Sequence, residues 1–525
     1  MSAVDAARDG SRAGRVRRLL ARHLGVDTRA LAALRVGLGL LLLADLLGRS
    51  RDLRAFYTDA GVLPRSTRAA VVSDWFLSVH ALSGDLWWQV LLFLVAGVAA
   101  IALTVGYRTR VATAVSWVLL VSLHNRMPVV LNGGDVLLRM VLLWAIFLPL
   151  GERWAVDARR AARTGDGASG PRGGDGEAAG AARSRVVSLA SAGLLVQVVA
   201  MYTVNAALKL SGERWIEGSA IRYVFSLEQF TTPLGALLAT RPALLVAFDR
   251  AWLALVTGSV LLVLLRGWPR AALIGAFAGG HLSMYLTMRL GLFPFVACLA
   301  LLAFLPPVVW DRAERVVADR APRFGRPLAL ADRVLPRLPT LPPPGRVRSN
   351  LHALAVVCVV VLAVLGNVQP ATTVRDRSPD AAEPVLDLAV NARPAVYAAR
   401  TDQYWTMFAP EPMRTDGWYV VPARLEDGSR VDALHRRSVT WEKPDDVAAT
   451  YPNARWRKYL VNLWRGGFGA YRPPLADHLC RRWNATHETG MTELDVYYVE
   501  QPGQLSGPEP TNRVLLEEHR CEGGG

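Results

Sequence analysis

The sequence predicts a mainly α protein: a polytopic transmembrane helical bundle of about nine spans, N-terminus inside and C-terminus outside, with a C-terminal extracytoplasmic α+β domain. Three observations predict it. Of 525 residues, 52% are hydrophobic and only 20% charged, with a mean hydropathy of +0.23. That composition excludes a chain disordered throughout. The apolar residues gather in long runs, and the arginines cluster between the runs on alternating sides. Four cysteines exclude a disulfide-dense scaffold.

A helix needs about 20 apolar residues to cross a bilayer. Nine stretches qualify or come close: 30–47, 86–105, 111–123, 135–150, 186–207, 244–265, 271–288, 292–310 and 351–368. The third is short and the fourth carries charge. The first is too long for the apolar part of a signal peptide and lacks a small-residue cleavage site, so it is expected to stay as an anchor.

With the N-terminus inside, the inner segments 1–29, 106–110, 151–185, 266–270 and 311–350 carry 27 arginines, and the outer segments up to residue 350 carry 11 Lys or Arg. Positive charge is retained on the cytoplasmic side, so this asymmetry fixes the expected orientation. It also accounts for the net charge of +16 without nucleic acid as a partner. Two inner stretches, 164–182 (Gly/Ala-rich) and 336–344 (proline-rich), are expected to be a disordered loop and a linker.

The expected organisation is therefore a basic cytoplasmic segment 1–29, a bundle 30–310, an Arg/Pro-rich cytoplasmic loop 311–350, a last span 351–368 and an outer domain 369–525. In the outer domain, Asp427-Gly428 reads as a hairpin turn between 420–425 and 430–434. The runs 418–422 and 495–499 read as strands, and 454–463 and 475–484 as helices. Cys480 and Cys521, the two cysteines outside every span, fall in this outer part, where a disulfide persists. Cys298 and Cys358 read as small apolar filler.

Ionisable groups in or beside spans are expensive and so mark candidate sites. Arg35 and Asp45 lie about a quarter-turn apart around the first span and could face one neighbour, or be buried charges matched separately. Asn132-Gly133-Gly134-Asp135 opens the fourth span, with Arg139 one turn on; the pattern fits a site, or a helix cap plus an i,i+4 ion pair. Lys209 ends the fifth span and precedes Trp215-Ile216-Glu217-Gly218. Only three of the 60 basic residues are lysine, a skew expected of GC-rich coding, so a lysine here points to an amine that can give up its proton. The alternative is a lysine snorkelling to the interface. His281 lies within the seventh span and reads either as a hydrogen-bonded core residue or as a proton-transfer group. Neither metal-ligand spacing nor a nucleotide-binding glycine loop is present.

Taken together, several stretches resemble one family. Arg35-Val36-Gly37-Leu38-Gly39, the run from Phe56 to Pro64, Asn132–Asp135, Trp154–Asp157, Lys209–Gly218, His281, Gly291–Val296 and Tyr404-Trp405-Thr406-Met407 occur in an order similar to that of the HTTM-domain membrane proteins, bacterial relatives of vitamin K-dependent gamma-carboxylase. The resemblance covers roughly residues 25–310 and, in part, the tail. It implies a reduced naphthoquinone (vitamin K or menaquinone type) as cofactor, Lys209, His281 and Asp135 as catalytic groups, and Arg139, Trp215, Glu217 and Asn132 around quinone or substrate. It also implies a cell-membrane location and an exported peptide or small-molecule substrate. Where the animal enzymes carry a histidine at the start of the fourth span, this chain has Gly134-Asp135. Quinol deprotonation fits this sequence more readily than glutamate carboxylation. A different class of function uses the same residues: a non-catalytic quinone- or lipid-binding, or envelope-assembly, protein.

Overall fold

A computed structural model describes residues 22–164, 185–317, 321–337, 346–368 and 383–521. All but the first residue of the Gly/Ala-rich stretch 164–182, and most of the basic segment 1–29 and of the proline-rich stretch 336–344, lie outside the described residues.

The bundle is built from α1 (Thr28–Ser50), α2 (Leu86–Val105), α3 (Thr109–Arg126), α4 (Gly133–Ala145), α5 (Leu189–Leu210), α6 (Pro242–Thr257), α7 (Gly267–Thr287), α8 (Phe293–Leu301), α9 (Pro307–Val317) and α10 (Arg346–Val368). Local chemistry sets the ends. Asp27 caps α1 through Arg29 N, and Ser188 with Ser191 forms a reciprocal capping box on α5. Helix α2 stops at Gly106, whose φ of +71° suits glycine. A side chain there would also collide with Arg35, whose Nη1 donates to the carbonyls of Leu103 and Thr104 at 2.9 and 2.6 Å. Arg35 thus neutralises the C-terminal end of α2.

Among the described residues, five helices are long and apolar enough to cross a membrane: Thr28–Ser50, Leu86–Val105, Leu189–Leu210, Pro242–Leu264 and Asn350–Val368. A sixth span exists if the pair Phe293–Phe304 and Pro307–Val316, bent by 104°, counts as one. These helices are compatible with membrane insertion. The other three expected spans fold as α3, α4 and α7 but do not meet that length and apolarity. Helix α4 has 13 residues, about 20 Å, and is buried on nearly all sides by protein. Helix α3 ends in the polar His124-Asn125-Arg126, and α7 carries Arg270 and His281. A helix sheathed by its neighbours needs fewer apolar residues than one facing lipid. The main core is shared by α1, α4, α5 and α8, with Leu34, Leu137, Leu194 and Ala300 fully buried.

Beyond the bundle lies an antiparallel five-stranded sheet: β1 (Thr415–Val420), β2 (Pro422–Leu425), β3 (Arg430–Asp432), β4 (Met491–Pro502) and β5 (Asn512–Arg520). β4 is central. β1 and β2 follow each other along one edge of it, β5 pairs with the other edge, and β3 extends the sheet beyond β2. Asp427-Gly428 turns the β2–β3 hairpin, with Gly428 at φ +81°. Helices α11 (Ala454–Trp464) and α12 (Arg472–Asn484) complete this layer, and α12 packs on β4 and β5.

Cys480 of α12 is disulfide-bonded to Cys521, just past β5, closing a span of 41 residues. A loop of that length loses about 4 kcal/mol of unfolded-state entropy on cross-linking. Cys480→Ser is therefore expected to destabilise the sheet layer by about 2–4 kcal/mol. Thermal unfolding of the full-length protein, with and without reductant, checks this: the wild type should lose the same increment on reduction and the variant none.

Candidate functional site

Helix α5 buries one stripe of residues: Leu194, Val198, Met201, Asn205 and Lys209, spaced three or four apart, with Tyr202 beside Met201. Lys209 therefore points into the protein instead of out to the interface, and only 2% of it is exposed. Its Nζ donates to the Met407 carbonyl at 3.2 Å and sits 3.3 Å from the centre of the Trp215 ring. The cation–π contact and the carbonyl hold the amine. Among the described residues, no carboxylate lies within ion-pair distance of it.

The floor beneath Lys209 is a strap from the sheet layer, residues 400–411, which threads between bundle helices. Trp405 is fully buried, its indole donating to Asn367 at 2.9 Å. Asn205 donates to the Trp405 carbonyl at 2.7 Å, and the Trp215 indole to the Phe408 carbonyl at 2.8 Å. Arg139 donates to the Asp402 carbonyl at 2.8 Å. The strap holds the Tyr404–Met407 motif, and Met407 lies against Gly133, where a side chain would strike its sulfur.

Together these elements enclose a cavity of about 640 Å³. Lys209, Trp215, Trp252, Phe293 and Met407 line it, and Lys209 is the one titratable side chain among the lining residues. Its rim includes Leu234, Phe248 and Leu286, all apolar and exposed, so the cavity opens sideways through the bundle's apolar surface.

The expected site residues separate into distinct places. Lys209, Trp215 and Asn132 line the cavity, and Asn132 also caps α4 in a reciprocal box with Asp135. Glu217 does not belong there: it is exposed, because Trp215 turns inward on the short helix Glu213–Glu217 and Glu217 follows about 200° further round. His281 lies behind the lining, packed on Trp252 and Phe293, with Nε2 2.7 Å from the Tyr202 hydroxyl. The Asp135–Arg139 pair expected from i,i+4 spacing does not form. Arg139 turns to Asp402, and Asp135 turns to Arg49 at 2.7 Å and Arg455 at 3.3 Å. Arg35 and Asp45 likewise share no neighbour: Arg35 caps α2, and Asp45 pairs with Arg49 at 2.7 Å and with Arg455.

Asp45, Arg49, Asp135 and Arg455 thus form a buried ion cluster that joins bundle to sheet layer, and Arg49 Nη1 also donates to the Tyr57 hydroxyl at 2.8 Å. Sequence reading missed Arg49 and Arg455. Arg49 was within reach, standing four residues after Asp45, the same spacing weighed for Asp135 and Arg139.

A second tie between the layers is Asp416 of β1, whose carboxylate accepts the Glu228 amide at 2.6 Å. Burial pushes its carboxyl up from 3.8 to about 6, in spite of these donors. A group whose folded proton affinity is raised stabilises the fold below its unfolded value and loses that contribution as pH rises. Stability should therefore fall between about pH 4 and pH 7, by about 3 kcal/mol at about 1.4 kcal/mol per tenfold change in affinity. Asp416→Asn is expected to flatten this slope, read from unfolding midpoints at both ends of the window.

Fold and cavity together define a helical, membrane-compatible protein with a buried amine at the inner end of an apolar, laterally open cavity. Compared with family models, curated proteins and solved structures, the chain matches none.

Proposed function

We propose that this chain is a multi-pass cell-membrane enzyme of the gamma-carboxylase-like type, using a reduced naphthoquinone to modify an exported peptide or small-molecule substrate. In this reading all nine apolar stretches lie within the bilayer, some sheathed by their neighbours, with the sheet layer outside.

The observation that carries it is the Lys209 amine, buried with no carboxylate among the described residues at ion-pair distance, at the end of a cavity that opens through an apolar surface. A cavity of about 640 Å³ falls within the usual range for a small-molecule site. An apolar quinol entering sideways would pass Leu234 and Leu286 and lay its ring among Trp215, Trp252 and Phe293. When bound, a reduced naphthoquinone supplies two electrons for dioxygen and, from that reaction, a base strong enough for a carbon acid. The protein's part is proton handling: Lys209 Nζ takes the proton from a ligand hydroxyl, while the Met407 carbonyl and the Trp215 face hold Nζ in place. Asn205 fixes the strap carrying that carbonyl.

A second reading is favoured by one observation. With Lys209 the single titratable group lining the cavity, a carbon acid there would find no second protein base. That suits a protein that holds a quinone or lipid without turning it over.

The experiment is purified protein in nanodiscs with reduced menaquinone, following quinol loss and epoxide in air, wild type beside Lys209→Met. Epoxide from wild type alone supports the enzyme. Quinone retained by wild type without epoxide favours the binding role.

A further inference from the structure

A second cavity, of about 850 Å³, lies at the other end of α4 from Lys209. Asn132 and Gly133, where α4 begins, line the Lys209 cavity, and the stretch from Leu148 to Arg153, just past the end of α4, lines this one. The two share no lining residue. The rest of the wall comes from Thr28, the first residue of α1, from the first turn of α3, and from the helix Val156–Thr164.

The wall is firmly held. Asp157 Oδ1 accepts the Arg108 amide at 2.9 Å, and Oδ2 accepts the Thr109 amide and hydroxyl at 2.8 and 2.7 Å. Arg35 Nη2 donates to the Trp154 carbonyl at 2.6 Å, and Trp154 stands at φ +51°, a costly conformation for a bulky residue. The Trp154–Asp157 stretch, which the Lys209 site leaves unused, thus builds this second cavity.

Three lining groups are not spent. Thr28 is only 4% exposed, and its hydroxyl has no hydrogen-bond partner among the described residues. A buried hydroxyl in that state is costly unless something else binds it. The Arg110 guanidinium has no partner among the described residues. Arg153 reaches Glu314 at 3.7 Å, a carboxylate that Arg29 already holds at 2.9 Å. Of the lining carboxylates, Asp157 is committed to the start of α3, and Glu152 stands exposed.

Position narrows the ligand. Helix α1 begins at Thr28 and α2 ends at Val105, and both are long and apolar enough to cross a membrane. The cavity therefore lies where the bundle would leave the apolar layer. Trp154, which is exposed, packs on Trp310 there, and tryptophan favours the headgroup level of a bilayer. Beside its arginines the cavity is lined by Leu148, Leu150 and Ala158.

We propose that this cavity binds one phospholipid by its headgroup. The phosphodiester takes Arg110 and Arg153, the Thr28 hydroxyl donates to a headgroup oxygen, and the apolar wall receives the glycerol ester. Guanidinium groups pair two-pronged with phosphate oxygens, and basic pockets between spans hold lipid headgroups in this way. Free phosphate offers the same oxygens but nothing for the apolar wall. The site is independent of the proposed function.

The test uses full-length protein in phosphatidylglycerol nanodiscs, a fraction of the lipid carrying a diazirine near its glycerol. After illumination, mass spectrometry compares crosslinks within residues 148–162 with those on the lipid-facing side of α2 around Leu94 and Val98, both exposed. Wild type is expected to concentrate crosslinks in 148–162. Arg110→Gln with Arg153→Gln should lower that ratio at least tenfold. Ala162→Trp, which fills the cavity from its exposed side and leaves every charge in place, should lower it too. A ratio near one in wild type, or one unchanged in either variant, overturns the inference. Excess inorganic phosphate should leave the wild-type ratio unchanged; displacement of the probe by phosphate marks a free-phosphate site and overturns the lipid assignment.

Discussion

Replacing Arg49 by methionine is expected to destabilise the protein by about 3–5 kcal/mol, the usual result of removing one partner from a buried ion pair. Arg49 is fully buried and bonds Asp45, Asp135 and Tyr57 together. Without it, two buried carboxylates on α1 and α4 are left with Arg455 between them and His124 Nε2 at 3.7 Å from Asp135. The damage concentrates at the junction, because Arg455 stands on the sheet-layer helix α11. That helix is otherwise tied down by Asn453 and Trp456 to Asp52 at 2.7 and 2.9 Å, and by Asn462 to the Val129 carbonyl at 2.7 Å. Proteolysis between the layers should accelerate before the bundle unfolds. Adding Asp45→Asn to Arg49→Met should recover part of the loss, since the double change removes charge in balance. A double variant as unstable as the sum of the two singles would show that the cluster members act independently. Unfolding of single and double variants in one detergent measures the cycle.

The second large effect is on chemistry. Lys209→Met is expected to lower quinol turnover by about 10²–10⁴-fold, the range for loss of a positioned general base. Methionine keeps the length and apolar contact of the side chain, so the cavity keeps its shape. Quinone retention should change little, because the aromatic and leucine lining is untouched. A variant with wild-type turnover would remove Lys209 from the mechanism. Loss of both turnover and retained quinone would mark the amine as a binding group.

Much of this architecture was legible in the residues. The long apolar runs, the Asp427-Gly428 hairpin and the helices near 454 and 475 follow from local pattern, and each is present. The Lys209–Trp215 contact was also within reach, because both sit in one short stretch that leaves α5 and turns back. What local pattern does not carry is distance along the chain. Arg139 finds Asp402 across 263 residues, and Arg455 finds Asp45 across 410. Each competes successfully with a nearer partner because the strap and α11 bring desolvated acceptors into the bundle, where a charge-assisted bond is stronger. The difference between nine apolar stretches and the five or six helices that meet the length and apolarity of a lone span has a related reason. Composition registers apolar length, but α4 is sheathed by protein, and α3 and α7 are too polar at buried positions to pass as lone lipid-facing helices.

The strap gives the protein a clock. Lys209 receives its carbonyl from Met407, synthesised 198 residues later, and Trp215 binds Phe408, 193 residues later. Helices of the bundle can insert as they leave the ribosome, yet the pocket around the amine has no floor until the chain has been made past residue 408 and that segment has docked back between them. Chains stalled or clipped before that point hold an amine without its cradle. A buried, fully cradled amine is thereby withheld from unfinished copies, and completion of the pocket doubles as a report that the sheet-bearing part has been made and docked.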